Sequence, residues 1–103
     1  MKFFIFVKPL VGADPIADMN AAMVAAKAYL DEGQAEGWIE SVYQFLDGRQ
    51  AVAIADLDSF EAVWERLTAY PLFPIQQYEV HPVVHTDYVM ARMVQNMAEM
   101  VPA

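Results

Sequence analysis

The chain has 103 residues, with fourteen Asp and Glu against six Lys and Arg, and a formal net charge of −8. This length corresponds to a single domain, and the six basic residues are too scattered for the phosphate-binding clusters of nucleic-acid or anionic-membrane proteins. Because the sequence contains no cysteine, disulfides, thiolate nucleophiles and cysteine-ligated metal sites are excluded. The hydrophobic share of 57% exceeds the roughly 45–50% of an average domain. We therefore expect part of the apolar surface to be covered by another copy, a partner or a ligand.

The N-terminal residues do not have the pattern of a signal peptide. The first apolar run ends at Lys8, which is shorter than the roughly 7–15 apolar residues of a signal peptide. No run approaches the roughly 20 residues of a membrane span. The sequence therefore predicts a cytoplasmic location.

The first two predicted elements are a strand and a helix. Residues 3–7 form a continuous run of apolar residues that favour β structure, which is typical of a strand buried on both faces. Asp14 and Pro15 resemble an N-cap followed by proline at the first helical position, and either Gly33 or Gly37 ends the helix. Apolar residues recur at alternating steps of three and four on one face of this helix: Ile16, Met19, Met23, Ala26 and Leu30.

A β-hairpin follows. Residues 38–45 and 50–56 are strand-like, and Asp47-Gly48 between them is a tight-turn signal. The hairpin places two neighbouring strands in the middle of the chain.

A second helix and a last strand complete the domain. Asp58 and Glu61 form a capping-box pattern, and Pro71 stops the helix that they open. Residues 75–84 form the last strand, in which Pro82 indicates an edge or a strand end. The apolar face of this helix consists of Phe60, Val63, Trp64 and Leu67.

The order of elements, βαββαβ, predicts a ferredoxin-like α+β fold for residues 1–85. Two helices on one face of a four-stranded sheet leave the other face bare, and a second sheet from another copy is the expected cover. The domain is therefore expected to work as a homodimer or a larger homo-oligomer.

Residues 86–103 are predicted to be an additional helix for packing or oligomerisation. Thr86-Asp87 is a plausible N-cap, and methionines follow at steps of three, four and three: Met90, Met93, Met97 and Met100. Such a stripe can pack on its own subunit, pack on a neighbour, or form an adaptable surface for a ligand or partner. Packing on a neighbour is the version that we favour.

The segment from Tyr70 to Val80, with its Leu-Phe-Pro turn before the last strand, resembles the end of muconolactone isomerases. The Asp14-Pro15 helix start and Glu36-Gly37 fit the same layout, and the resemblance covers residues 1–85. It implies a dimeric α/β barrel and a proton shift across an unsaturated lactone without metal or organic cofactor. The strand that is rich in arginine, histidine and tryptophan in that family is Ile-Glu-Ser-Val-Tyr-Gln-Phe here, so muconolactone itself is not the expected substrate.

Strand alternation assigns the candidate catalytic residues. It places Gln77, Glu79 and His81 on one face of the last strand and Tyr78 and Val80 on the other. If Tyr78 and Val80 meet the helices, then Gln77, Glu79 and His81 face the inside of the barrel. Glu79 is then the candidate general base, since burial raises a carboxyl pKa towards a useful range, and His81 is its candidate acid partner.

Other polar residues have weaker roles. Tyr43 is a candidate hydrogen-bond donor to a carbonyl or enolate oxygen, and His85 is assigned to local structure. The role of Glu40 stays open, because the sequence does not determine which way its strand faces. His81 and His85 lie about 13 Å apart in an extended chain, so no metal site is predicted. No glycine-rich phosphate loop or nucleophile motif occurs, and no cofactor is expected, although flavin or haem bound without a motif stays open.

Three functions follow from these observations. The first is a cofactor-independent isomerase-like enzyme that acts on a small unsaturated lactone, an aromatic-derived molecule or a polyketide-like substrate, with cyclisation and cofactor-free monooxygenation as related chemistries. The second is a non-catalytic or accessory protein that holds a small hydrophobic ligand. The third is an architectural oligomer joined by the methionine-rich tail.

Overall fold

Four strands and three α-helices follow the predicted order in the computed structural model, which describes residues 1–100. The strands form one antiparallel sheet in the order β2-β3-β1-β4. This arrangement confirms the ferredoxin-like α+β fold. The strands are β1 (Lys2–Pro9), β2 (Ile39–Gln44), β3 (Ala51–Asp56) and β4 (Gln76–Val83), and the helices are α1 (Met19–Glu36), α2 (Phe60–Ala69) and α3 (Thr86–Met100), with a 3-10 turn at Phe73–Ile75.

The core lies between the sheet and the helices. Phe3 is completely buried, and alternate residues of β1 and β3 join it because successive strand side chains point to opposite faces. Phe4 and Phe6 point the other way and stay partly exposed. The chain's own helices therefore bury one face of β1, whereas burial on both faces was expected from its continuous apolar run. The core cluster is Phe3, Ile5, Ala55, Leu57 and Val63.

Both helix starts differ from the predicted ones. Asp18, rather than Asp14, caps α1, and its carboxylate accepts the backbone N–H of Ala21 at 3.0 Å. Ser59, rather than Asp58, caps α2, and its hydroxyl accepts the N–H of Ala62 at 3.1 Å. In each case a side chain closer to the regular helix satisfies one of the unpaired first-turn N–H groups, so the earlier aspartate is left outside.

Gly37 ends α1 in a left-handed conformation, with φ of 90°. Gly33 has a different role, because α1 meets the start of β2 at this residue. A Cβ atom there would lie 2.5 Å from Ile39 Cδ1 and 2.9 Å from Trp38 Cζ2. Gly33 therefore permits the close contact that holds the C-terminal end of α1 on the sheet.

Replacing Gly33 with alanine is expected to destabilise the protein. The added methyl group must displace Ile39 or Trp38, and this overpacking outweighs the helix propensity gained, for a net loss of about 1–2 kcal/mol. Urea unfolding measures the change. Combining the substitution with Ile39→Val, which removes the nearest contact atom, should cost less than the sum of the two single changes. Strict additivity of the two would contradict this account.

Helix α3 extends away from the domain. All of its residues are exposed, and the described chain measures 69 Å along its longest axis. Its radius of gyration is 18.0 Å, against about 13 Å for a compact domain of 100 residues. Among residues 1–100, the methionine stripe therefore does not pack on its own subunit. Packing on a neighbour stays a prediction, as does the division of the chain at residues 85 and 86.

A charge on the methionine stripe is expected to weaken self-association through α3. Met93→Glu places a carboxylate in the middle of the apolar face. This carboxylate must lose its hydration if the face is covered. Gln95→Glu adds the same charge roughly on the opposite side of the helix and serves as the matched control. Native mass spectrometry should show a smaller assembly for the first variant only. Equal masses for both variants and the parent protein would reject a role for α3 in assembly.

Within residues 1–100, none of the helices combines the length and the apolar character that crossing a bilayer requires.

Candidate functional site

The face of the sheet that α1 and α2 leave uncovered is here called the open sheet face. Tyr78 and Val80 pack against the core on the opposite face, as the alternation of β4 predicted. The centre of the open sheet face is apolar and its edges are polar. It comprises Phe4, Phe6 and Lys8 of β1, Ser41 and Tyr43 of β2, Val52 and Ile54 of β3, and Gln77, Glu79 and His81 of β4.

Glu79 and His81 form a carboxylate–imidazole pair on this face. Glu79 Oε1 lies 3.0 Å from His81 Nε2, and Glu79 Oε2 lies 3.9 Å from Lys8 Nζ. The imidazole also makes an edge-to-face contact with the ring of Phe6, with 5.9 Å between ring centroids. A carboxylate that can accept a proton and an imidazole that can donate one therefore stand side by side next to an apolar surface.

Both members of the pair are about half exposed in the single chain, at 56% for Glu79 and 51% for His81. Water surrounds them at this exposure. A second layer over the open sheet face is needed before burial can tune the carboxylate for proton transfer.

Tyr43 is not brought to this pair within one chain. It lies opposite Val52 on β3, Val52 lies opposite Phe6 on β1, and Phe6 lies opposite Glu79 on β4. Three strand spacings therefore separate Tyr43 from Glu79, which amounts to about 14 Å. The tyrosine occupies the same row of the same face, at the other edge of the sheet.

The remaining polar residues weighed from the sequence have local partners. Glu40 Oε1 lies 3.1 Å from Lys2 Nζ at the irregular start of β2. His85 Nδ1 accepts the backbone N–H of Asp87 at 3.1 Å, at the beginning of α3. In the part of the chain from residue 1 to 100, no three side chains of His, Asp or Glu converge in the manner of a metal site.

A cavity of about 680 Å³ lies on the other side of the sheet, between the strands and helices α1 and α2. We call it the sheet–helix cavity. Sequence reasoning missed it because its lining residues come from separate elements that only the packing of the helices on the sheet brings together. No local sequence pattern marks a cavity of this kind. Its aromatic lining consists of Tyr29, Trp38, Tyr70 and Tyr78.

The tyrosines of this cavity are neutral hydrogen-bonding groups at physiological pH. Burial raises the pKa of the Tyr70 and Tyr78 hydroxyls, and the hydroxyl of Tyr78 donates to Gln76 Oε1 at 2.8 Å. Burial also raises the pKa of Tyr29, against the opposing charge of Arg66. No Asp, Glu or His lines the cavity in the described residues. Proton abstraction by a carboxylate or imidazole is therefore a capability of the open sheet face, and the cavity is suited to binding.

Several solved structures are similar to this fold, among them an isomerase and a dehydrochlorinase. The chain is 24% identical to muconolactone isomerase, with a TM-score of 0.70 over 82% of this chain and 90% of that one. It is 18% identical to 5-chloro-2-hydroxyhydroquinone dehydrochlorinase from Burkholderia phenoliruptrix AC1100, solved with 2,5-dihydroxybenzoquinone. That comparison has a TM-score of 0.64 over 85% of this chain and 98% of that one.

No protein-family model matches the chain, and no curated protein matches it by sequence. The two structural similarities confirm the fold that the Tyr70–Val80 segment indicated. At these identities they carry the fold alone, and the neighbours are an isomerase and a dehydrochlorinase.

Proposed function

With the fold of muconolactone isomerase as the starting point, we propose that this chain is a cofactor-independent, isomerase-like enzyme. Its substrate would be a small unsaturated lactone, an aromatic-derived molecule or a polyketide-like molecule, as in the breakdown of aromatic compounds. The observation that carries this proposal is the contact of 3.0 Å between Glu79 and His81 beside an apolar sheet face. The cytoplasmic location stays a prediction.

The proposed chemistry is a proton shift. The carboxylate of Glu79 takes a proton from a carbon that is conjugated with the substrate carbonyl, which leaves an enolate. Protonated His81 donates a proton to another carbon of the same conjugated system, which completes the isomerisation. The proton held by Glu79 then passes to His81 and restores both groups. No electron is gained or lost overall, so the step needs no oxidant or reductant.

A second copy would complete the site. Packing of two open sheet faces buries the four central apolar side chains and removes water from Glu79 and His81. The sheet edges are β2 and β4, so a barrel in which the β2 edge of one copy adjoins the β4 edge of the other would place Tyr43 beside Glu79. Tyr43 could then donate a hydrogen bond to the enolate oxygen. The central side chains are Phe4, Phe6, Val52 and Ile54.

The alternative is a non-catalytic protein that holds a small hydrophobic molecule. The sheet–helix cavity favours it, because its volume of about 680 Å³ lies within the usual range for small-molecule sites, about 300–1,000 Å³. A purely architectural oligomer is the third possibility, and the exposed stripe of α3 favours it.

Proton exchange with solvent distinguishes these functions. The full chain, without added metal or cofactor, is incubated in deuterated water with a panel of unsaturated lactones and quinones, and the products are followed by NMR spectroscopy. Isomerisation of one panel member with deuterium entering a ring carbon is the expected result. Saturable binding without deuterium entry or product across the panel would support the non-catalytic alternative instead.

A further inference from the structure

The sheet–helix cavity has an unusual charge for this protein. Carboxylates outnumber basic residues by fourteen to six in the chain, yet three basic residues and no acidic residue line the cavity. Half of all lysines and arginines therefore surround one apolar space. The three are Lys27 on α1, Arg49 in the β2–β3 turn and Arg66 on α2.

Two of these three cations are not neutralised by a salt bridge. Lys27 Nζ lies 2.7 Å from Asp31 Oδ2 on the same helix. Arg49 and Arg66 have no carboxylate at salt-bridge distance among residues 1–100. Arg49 stands next to Asp47, whose carboxylate accepts the Arg49 backbone N–H at 2.9 Å. The guanidinium beside the cavity whose charge is available to an anion is therefore that of Arg66.

Arg66 is also held in position by aromatic contacts. Its guanidinium carbon lies 4.5 Å from the centre of the Trp38 ring, a cation–π contact. The hydroxyl of Tyr29 donates to the backbone carbonyl of Arg66 at 2.8 Å. These contacts keep the arginine at the wall of the cavity, so little side-chain freedom is lost when it binds an anion.

We infer that the sheet–helix cavity binds a small ring-containing apolar molecule that carries one carboxylate, with Arg66 as the anion-binding group, because Arg66 packs on Trp38 at the start of β2 whereas Arg49 lies beyond the other end of that strand. The aromatic side chains of the cavity contact the rings, and the neutral tyrosine hydroxyls add hydrogen bonds. The inference does not depend on the proposed isomerase activity, because Glu79 and His81 lie on the opposite face of the sheet. The strand at residues 39–45 contains no basic residue. In the inferred site, Arg66 on α2 supplies the positive charge instead.

A pair of fluorescent probes tests the role of charge. Anilinonaphthalene sulfonate joins an apolar ring system to one anionic group, and phenylnaphthylamine is its uncharged parent. In titrations of the full chain, Arg66→Gln is expected to weaken sulfonate binding about tenfold, as for a lost charge-assisted hydrogen bond. Binding of the uncharged parent should change less than about twofold. Arg92→Gln on α3, which removes an arginine that does not line the cavity, should leave both probes unaffected.

Trp38 reports where the probe binds. The chain has two tryptophans, and only Trp38 lines the cavity, so the variant Trp64→Phe leaves one reporter at the site. Saturable quenching of Trp38 is expected with the same midpoint as the probe signal. A naphthalene carboxylate should displace the probe at least about tenfold more effectively than the corresponding naphthalene alcohol.

Several results would overturn the inference. These are equal weakening by Arg92→Gln, equal loss of both probes in the Arg66 variant, equal displacement by the acid and the alcohol, or sulfonate binding that leaves Trp38 unquenched. None of these readouts uses turnover, so loss of activity and loss of this site are measured separately.

Discussion

Glu79→Gln is expected to reduce turnover at least about 100-fold, the usual effect of removing a general base. The amide has nearly the same shape as the carboxylate but cannot accept the substrate proton. Stability should change little, because the side chain is 56% exposed and its partners are the exposed side chains of His81 and Lys8. The measurement is the initial rate on the substrate found in the panel, together with the melting temperature.

Two further variants make this test specific. Gln77 lies on the same face of β4 and is also exposed to solvent. Gln77→Ala therefore controls for general disturbance of the strand and should keep most of the activity. Glu79→Asp retains a carboxylate on a shorter side chain and should recover part of the rate. If Glu79→Gln turned over at more than about half the parent rate, a role as general base would be rejected.

Ile54→Lys is expected to separate the two copies that the proposed site requires. Ile54 lies between Phe4 and Ser41 in the middle of the open sheet face, so a lysine there would be buried without a partner on closure. A two-fold interface contains the substitution twice. The dissociation constant should therefore rise at least about 1,000-fold, as expected when two central interface residues are lost. Sedimentation velocity at micromolar concentration measures the effect.

Val24→Lys is the matched control. It introduces the same charge at a residue of α1 that is 66% exposed and away from the sheet. The control should retain the parent mass, whereas Ile54→Lys should sediment as a monomer and lose activity. If the parent chain were itself a monomer at micromolar concentration, or if Ile54→Lys retained the parent mass, the closed barrel would be wrong.

The fold was predictable from the sequence because its signals are local. The βαββαβ order follows from apolar periodicity and from the Asp47-Gly48 turn, which the structure places between β2 and β3. Asp47 accepts the N–H groups of Arg49 and Gln50 there, and these hydrogen bonds hold its carboxyl pKa below the ordinary value. Pro82 also lies on an edge strand as expected. The helix starts were wrong by one to four residues, because nearby Asp and Ser side chains compete as caps.

The pairing of the two candidate catalytic residues was likewise a local matter. Glu79 and His81 are two residues apart in a strand, and alternation alone places them on one face. Their distance from Tyr43 depends on strand order and hydrogen-bond register, which join residues far apart in the chain.

The amino-acid sequence by itself determined which elements form and which residues of β4 share a face, since both depend on backbone geometry over a few residues. Only the tertiary structure decided that a cavity forms between the sheet and the helices and that arginine side chains line it. Arg49 and Arg66 belong to different elements, and they line one cavity because α1 contacts the sheet at Gly33 and leaves a space along the rest of its inner face. A cavity of this kind depends on how helices rest on a sheet, and no local pattern encodes that arrangement.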